Sequence, residues 1–125
     1  MSYAPPRYPA RAPIDAYGNG GFRFAHLSHR GSILCLPSGI YAWPASSPNE
    51  IGAASLAAVL VEKDALSLVL LGTGQNQQLP DACLRRAFET AGIGLEAMDT
   101  GAACRTYNVL LAEGRRVGAA LLAVD

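Results

Sequence analysis

Residues 98–122, MDTGAACRTYNVLLAEGRRVGAALL, constrain the fold of this chain more than any other stretch. Asp99 and Thr100 place capping oxygens ahead of a helical run, Gly114 stands where that run must stop, and an apolar segment, 117–124, follows at once. The helix leaves one strand, ending at Met98, and delivers the chain into another. Such a unit buries its apolar stripe only by lying on a sheet, so the segment commits the chain to an α/β architecture.

The sequence upstream repeats the alternation. Residues 65–71, ALSLVLL, form an almost unbroken apolar run that reads as a central parallel strand covered on both faces, and Gly72-Thr73-Gly74 ends it. Leu79-Pro80-Asp81 opens a second helix with Pro80 at its first position. Leu84, Ala87, Phe88 and Ala91 form its inner stripe, Gly92 ends it, and 93–98 is the next strand. Earlier still, Ser47-Pro48-Asn49-Glu50 has the order of a capping box. It predicts a helix reaching about Lys63, with Ile51, Ala54, Leu56, Ala58, Val59 and Leu60 on its packed face.

Residues 14–43 carry a β pattern. Gly18, Gly20 and Gly21 supply a bend, and Phe22, Phe24 and His26 alternate with Arg23 and Ala25. A polar turn follows through Ser28, His29, Arg30 and Gly31, then strands at 33–36 and 40–43 around Pro37-Ser38-Gly39. The expected order is β-β-β-α-β-α-β-α-β: three layers, a central mixed and mostly parallel sheet flanked by helices, and a small N-terminal antiparallel β subdomain.

Half of the 8 prolines fall in residues 1–13, so a flexible N-terminal tail is expected, followed by one domain over 14–125. With 125 residues, 50% of them hydrophobic, such a domain needs neither disulfide nor metal to hold its core. The 10 basic and 10 acidic side chains cancel without clustering, which argues against a nucleic-acid groove. Cys35, Cys83 and Cys104 are far apart and lack a CxxC pair, so a reducing cytoplasm and no metal site are expected. No apolar run approaches the roughly 20 residues that cross a bilayer.

Ligands of open α/β sheets collect where strands end and helices begin. Two turns meet that description: Gly72-Thr73-Gly74, whose glycines let backbone amides approach a ligand, and Thr100-Gly101 at a helix N-terminus. Arg105, Tyr107 and Asn108 follow with a cation and polar groups, so these eight residues form a candidate cleft for a carboxylate or phosphate. The competing reading is structural: the glycines turn the chain, Thr100 caps, and Arg105 pairs with Glu113 or Glu96. Gly72-Thr73-Gly74 lacks the third glycine of a dinucleotide fingerprint, Gln77 standing in its place, and no P-loop ending is present, so no cofactor is expected. Cys104 beside Arg105 is a candidate nucleophile without a nearby histidine, and His26 and His29 read as turn residues; no catalytic residue is assigned.

Thr100, Ala103, Thr106-Tyr107-Asn108, Leu110, Glu113 and Arg115, taken with Gly72-Thr73-Gly74 and the glycine-rich entry at 17–24, carry a resemblance. The chain resembles the family of small bacterial and archaeal α/β proteins of unknown function that also includes the mitochondrial assembly factor 3 of respiratory complex I. The resemblance implies a three-layer fold and assistance in building NADH:ubiquinone oxidoreductase through contacts with its subunits or other assembly factors. Lacking a mitochondrial presequence, the chain looks like a bacterial member at the cytoplasmic side, reaching the inner membrane only through a partner. On that reading it is a non-enzymatic interaction protein, with Tyr41, Trp43 and the β layer as contacts. The alternative is a binder of, or enzyme acting on, a small anionic metabolite at the two βα turns.

Overall fold

The computed structural model describes residues 5–125. A five-stranded sheet forms the middle layer. It comprises β4 (Ser32–Leu36), β5 (Gly39–Trp43), β6 (Leu68–Gly72), β7 (Gly94–Met98) and β8 (Val117–Leu121), in the order β5-β4-β8-β6-β7. β6 lies between β8 and β7, parallel to both, whereas β4 is antiparallel to β8 and to β5. The sheet is mixed, as expected, with its parallel half built from the alternating β/α segment and its antiparallel half from one hairpin.

The helices occupy both faces. On one side α1 (Ala57–Val61) and α2 (Ala82–Ala91) bury Leu56, Val59, Leu84 and Phe88 against Leu34, Val69, Leu71 and Ala120. On the other, α3 (Thr100–Ala112) buries Ala103, Cys104 and Tyr107 against Ile33, Cys35, Leu70 and Leu121. Beside α3 stands a separate antiparallel sheet, β1 (Ala16–Gly18), β2 (Gly21–Phe24) and β3 (Leu27–Arg30), which adds Phe22 and Phe24 to the same core. Full burial of each such side chain is worth about 1.5–3 kcal/mol, so the middle layer is clamped from both sides.

The small sheet is divided from the large one differently from the sequence reading. The segment Ser28-His29-Arg30, expected as a turn, is β3, and the turn comes earlier, at Ala25-His26, where both residues have positive φ of 49° and 65°. Positive φ at both central residues is what a type I′ two-residue hairpin requires, and pairing Phe22 with His29 and Phe24 with Leu27 outweighs the polarity of the strand. Residues 33–36 and 40–43, expected in the same β layer, instead extend the central sheet.

The expected helix from Ser47 to Lys63 is broken. A single 3-10 turn, Pro48–Glu50, ends at Ile51 with extended φ −84° and ψ 118°, and only Ala57–Val61 is α-helical. Two local competitors explain the break. The Glu50 carboxylate accepts from the Ser46 amide and hydroxyl at 3.1 and 2.8 Å rather than completing a box with Ser47, and Ser55 Oγ both accepts from the Gly52 amide and donates to its carbonyl. α2 also starts two residues late, at Ala82 rather than Pro80: Asp81 is its N-cap, accepting from Leu84 N at 2.7 Å, and Pro80 lies just outside.

Residues 1–4 of the expected tail lie outside the described residues. The remainder runs along the sheet edge: Arg7 and Tyr8 donate backbone hydrogen bonds to Ile40 O, Tyr8 O accepts from Ile40 N at 2.9 Å, and Ala12 and Ile14 are buried. The chain is therefore seated on β5 well before the β pattern begins.

Candidate functional site

The two turns singled out in the sequence do meet, at the junction of β6 and α3. Gly74 N donates to Thr100 Oγ1 at 3.0 Å and Thr100 N donates to Gly74 O at 2.8 Å. The Thr100 hydroxyl, fully buried, donates onward to Leu122 O at 2.8 Å, and Leu122 N returns a bond to Gly72 O at 3.0 Å. Thr73 plays the same part toward β7: its amide donates to Met98 O at 2.8 Å, its hydroxyl lies 2.6 Å from Asn76 O and 3.0 Å from Met98 O, and it accepts from Gln78 N. Asp99 is the true N-cap of α3, accepting from Ala102 N at 2.9 Å. The amides of Thr73, Gly74 and Thr100 and both threonine hydroxyls are thus engaged within the fold.

Glycine is demanded at position 72, where a Cβ would meet Leu121 Cδ2 at 3.0 Å and the Thr100 Cα and Oγ1 at 3.1 Å. This close approach lets the α3 N-terminus sit on the end of β6.

The other candidate residues diverge from this junction. Arg105 Nη1 donates to Tyr17 OH at 3.1 Å, reaching β1 rather than Glu113 or Glu96, and the Tyr17 hydroxyl lies over Gly101, 2.5 Å from where a Cβ would stand. Tyr107 is buried in the core, and that burial pushes its phenol well above the ordinary range. Asn108 clamps the chain entering the small sheet: its Oδ1 accepts from Ile14 N and its Nδ2 donates to Ile14 O, both at 2.8 Å. Asn108 thus fastens the small sheet to α3 by imitating one rung of a β-ladder.

Cys104 and Cys35 are both buried beneath α3. Burial pushes the Cys104 thiol up to about 12, against the weaker opposing pull of Arg105, and pushes Cys35 up as well. At neutral pH these are protonated core thiols, a poor starting point for a nucleophile. His29 is part of β3, its Nε2 3.3 Å from Ser32 O and its ring tilted against Phe24 at 6.4 Å; burial lowers its pKa. Trp43, expected at a contact surface, is instead 3% exposed, with its indole N–H donating to Ser55 O at 2.9 Å. Tyr41 is half-buried and shares a hydrogen bond with Ser38 Oγ at 2.6 Å.

Two concavities are open to solvent. One, about 190 Å³, lies at the carboxyl end of β6 between Ile51, Thr73, Gln78, Leu79 and Pro80. The larger, about 410 Å³, lies over the small sheet, bounded by Tyr17, Asn19, Arg23, Ser28, His29 and Arg30. Sequence reading missed the second because it placed Ser28 and Arg30 in a turn; once the hairpin register is known, Arg23 pairs with Ser28 and Gly21 with Arg30, which puts both arginines on one face.

The chain is 40% identical to an uncharacterized protein of Rhodobacter capsulatus, over 98% of this chain and 93% of that one. It is 30% identical to the mouse NADH dehydrogenase [ubiquinone] 1 alpha subcomplex assembly factor 3 over 92% of this chain, and spans 62% of the mouse protein's length. Among solved structures, a Bartonella henselae protein described as an outer membrane protein superposes with a TM-score of 0.92 at 50% identity, covering 95% of this chain and 100% of that one. A Rhodopseudomonas palustris protein solved by NMR superposes with a TM-score of 0.80 at 42% identity, over 98% and 90% of the two chains. Among the described residues no helix is long and apolar enough to cross a membrane. Residues 14–122 match the family described as protein of unknown function (DUF498/DUF598), and the chain belongs to that family.

Proposed function

We propose that this protein is a non-enzymatic interaction protein that assists the assembly of respiratory complex I through contacts with its subunits or other assembly factors. The observation that carries the reading is the likeness to the assembly factor: 30% identity along 92% of this chain. The arrangement of the β6–α3 junction is in keeping with it. Thr73, Gly74 and Thr100 spend their polar groups on holding three strands and a helix together, which gives a stiff frame for a binding surface.

Deletion of the gene in its native cell tests the reading, with complex I activity and the subassemblies on native gels as readouts, alongside capture with the tagged full chain. Accumulation of incomplete subassemblies and recovery of complex I subunits are expected. Normal complex I levels together with no recovered subunit would overturn it.

A further inference from the structure

The larger concavity is lined by two arginines and a histidine and by no acid. Arg23 on β2 and Arg30 on β3 flank it, Ser28 stands between them, and Arg7 reaches the Ser28 carbonyl with its guanidinium at 3.5 Å. Gly18 and Gly21 are also part of its lining; a Cβ on Gly18 would meet nothing within 4 Å, whereas one on Gly21 would run into the His29 backbone. Tyr17, 42% exposed, stands at the rim.

None of the three arginines has a carboxylate partner. The ion pairs among the described residues are Lys63 with Asp64 and Arg115 with Glu113, and residues 1–4 contain no acid. Asp15, beside β1, and Asp125, which follows the Val124 carbonyl held by Gly20 N, pair with none of them. In a chain of net charge zero, two arginines that line one cleft and a third that reaches its edge, none with a carboxylate within 4 Å, offer positive charge that a complementary partner would neutralise.

We propose that this face of the small sheet is the docking site for an acidic polypeptide segment of a protein partner. The proposal rests on the interaction-protein reading above and names the chemistry of its partner. A single small anion fits poorly: the arginines come from three separate segments, their heads are solvated, and no buried donor converges on one point. An exposed ion pair is worth little alone, so such a surface binds usefully only when several carboxylates arrive on one chain. The aromatic rim supplies a contact for an apolar residue among those acids.

Titration of the isotope-labelled full chain with a Glu/Asp-rich peptide carrying one Leu or Phe tests this, followed by amide shifts and repeated with the Gln/Asn counterpart, inorganic phosphate and a single-stranded oligonucleotide. Shifts are expected at residues 17–19, 23 and 28–30 with the acidic peptide alone. Affinity should fall with salt, and on the order of tenfold in an R23E/R30E variant whose remaining spectrum is unchanged. Equal shifts with the neutral peptide, tighter binding of phosphate or oligonucleotide, or unaltered affinity in R23E/R30E would overturn the proposal. Capture separates the two readings. If R23E/R30E recovers complex I subunits as well as the natural chain does, this docking site is wrong while the assembly reading stands. If neither recovers them but the acidic peptide binds here, the assembly reading fails alone.

Discussion

Gly74 and Thr100 exchange two hydrogen bonds, each donating its amide to the other at 3.0 and 2.8 Å, and the Thr100 hydroxyl that accepts one of them donates in turn to the Leu122 carbonyl. Three elements far apart in sequence are tied through one buried oxygen. Replacing it tests how much the tie holds. Thr100→Val keeps the shape and leaves Gly74 N and Leu122 O without a partner, so a loss of about 2–4 kcal/mol is expected from urea unfolding. Thr100→Ser keeps the hydroxyl and loses one buried methyl group, costing about 1 kcal/mol. A Thr100→Val variant as stable as Thr100→Ser would show that the bonds contribute nothing net.

The close approach beneath that pair makes a second test. A Cβ at position 72 would press on the Leu121 side chain and on Thr100 backbone, and the α3 N-terminus, pinned by Asp99 and Gly74, has little freedom to retreat. Gly72→Ala is therefore expected to destabilise by about 1–3 kcal/mol despite the usual gain from replacing glycine. The contrast is Gly101→Ala, where the obstacle is the movable end of Tyr17. There the gain in helix propensity, about 1 kcal/mol, opposes loss of the Arg105–Tyr17 contact, and net stability should change little. In a Tyr17→Ala background the same substitution should stabilise by about 1 kcal/mol, which a double-mutant cycle reads directly.

Buried thiols and a buried phenol set the alkaline limit. The Cys104 thiol is raised from 9.0 to about 12, and Cys35 and Tyr107 are raised also, so the fold favours their protonated forms. A raised pKa of this kind contributes stability in full below the unfolded value and loses it as pH climbs toward the folded one. Stability should hold to about pH 9 and then fall by about 1.4 kcal/mol per pH unit for each buried thiol. Thiol titration at pH 8 should find Cys83, the exposed one, reacting at once and the other two only on unfolding. Reaction of all three in the folded protein would contradict the burial.

Where local and tertiary signals agree, the chain is readable. The β6-to-β8 stretch is of this kind: Asp99 caps, Gly114 ends the helix with φ of 75°, and the apolar run of β6 lies where a strand with two parallel neighbours must lie. Residues 47–65 fail because Ser46, Ser47, Glu50 and Ser55 offer side-chain bonds that satisfy the backbone without a helix, and which network wins is decided by packing rather than pattern. The same limit applies to the candidate cleft. Gly72, Thr73, Gly74, Thr100 and Gly101 lie at the ends of β6 and β7, but pattern alone does not reveal that Thr100 and Gly74 are partners. Pattern offers Arg105 and Asn108 to a ligand, whereas long-range contacts with Tyr17 and Ile14 claim them.

The two hairpins of the small sheet provide the last test, because they solve one problem with different residues. Asn19-Gly20 joins β1 to β2 with φ of 52° and 79°, and Ala25-His26 joins β2 to β3 with φ of 49° and 65°. Asparagine and glycine enter the left-handed region with little strain, whereas an ordinary L-residue pays roughly 1–2 kcal/mol there. His26 is exposed, and none of its side-chain atoms is hydrogen-bonded among the described residues, so no hydrogen bond offsets its strain. His26→Gly is expected to raise stability by about 1 kcal/mol, and Ala25→Asn with His26→Gly by somewhat more. Slower amide exchange at Phe22 and Phe24 would accompany the gain, since the strand pairing they share with β3 closes on that turn. If His26→Gly lowers stability instead, the imidazole has a role at the hairpin tip that its position in the fold does not reveal.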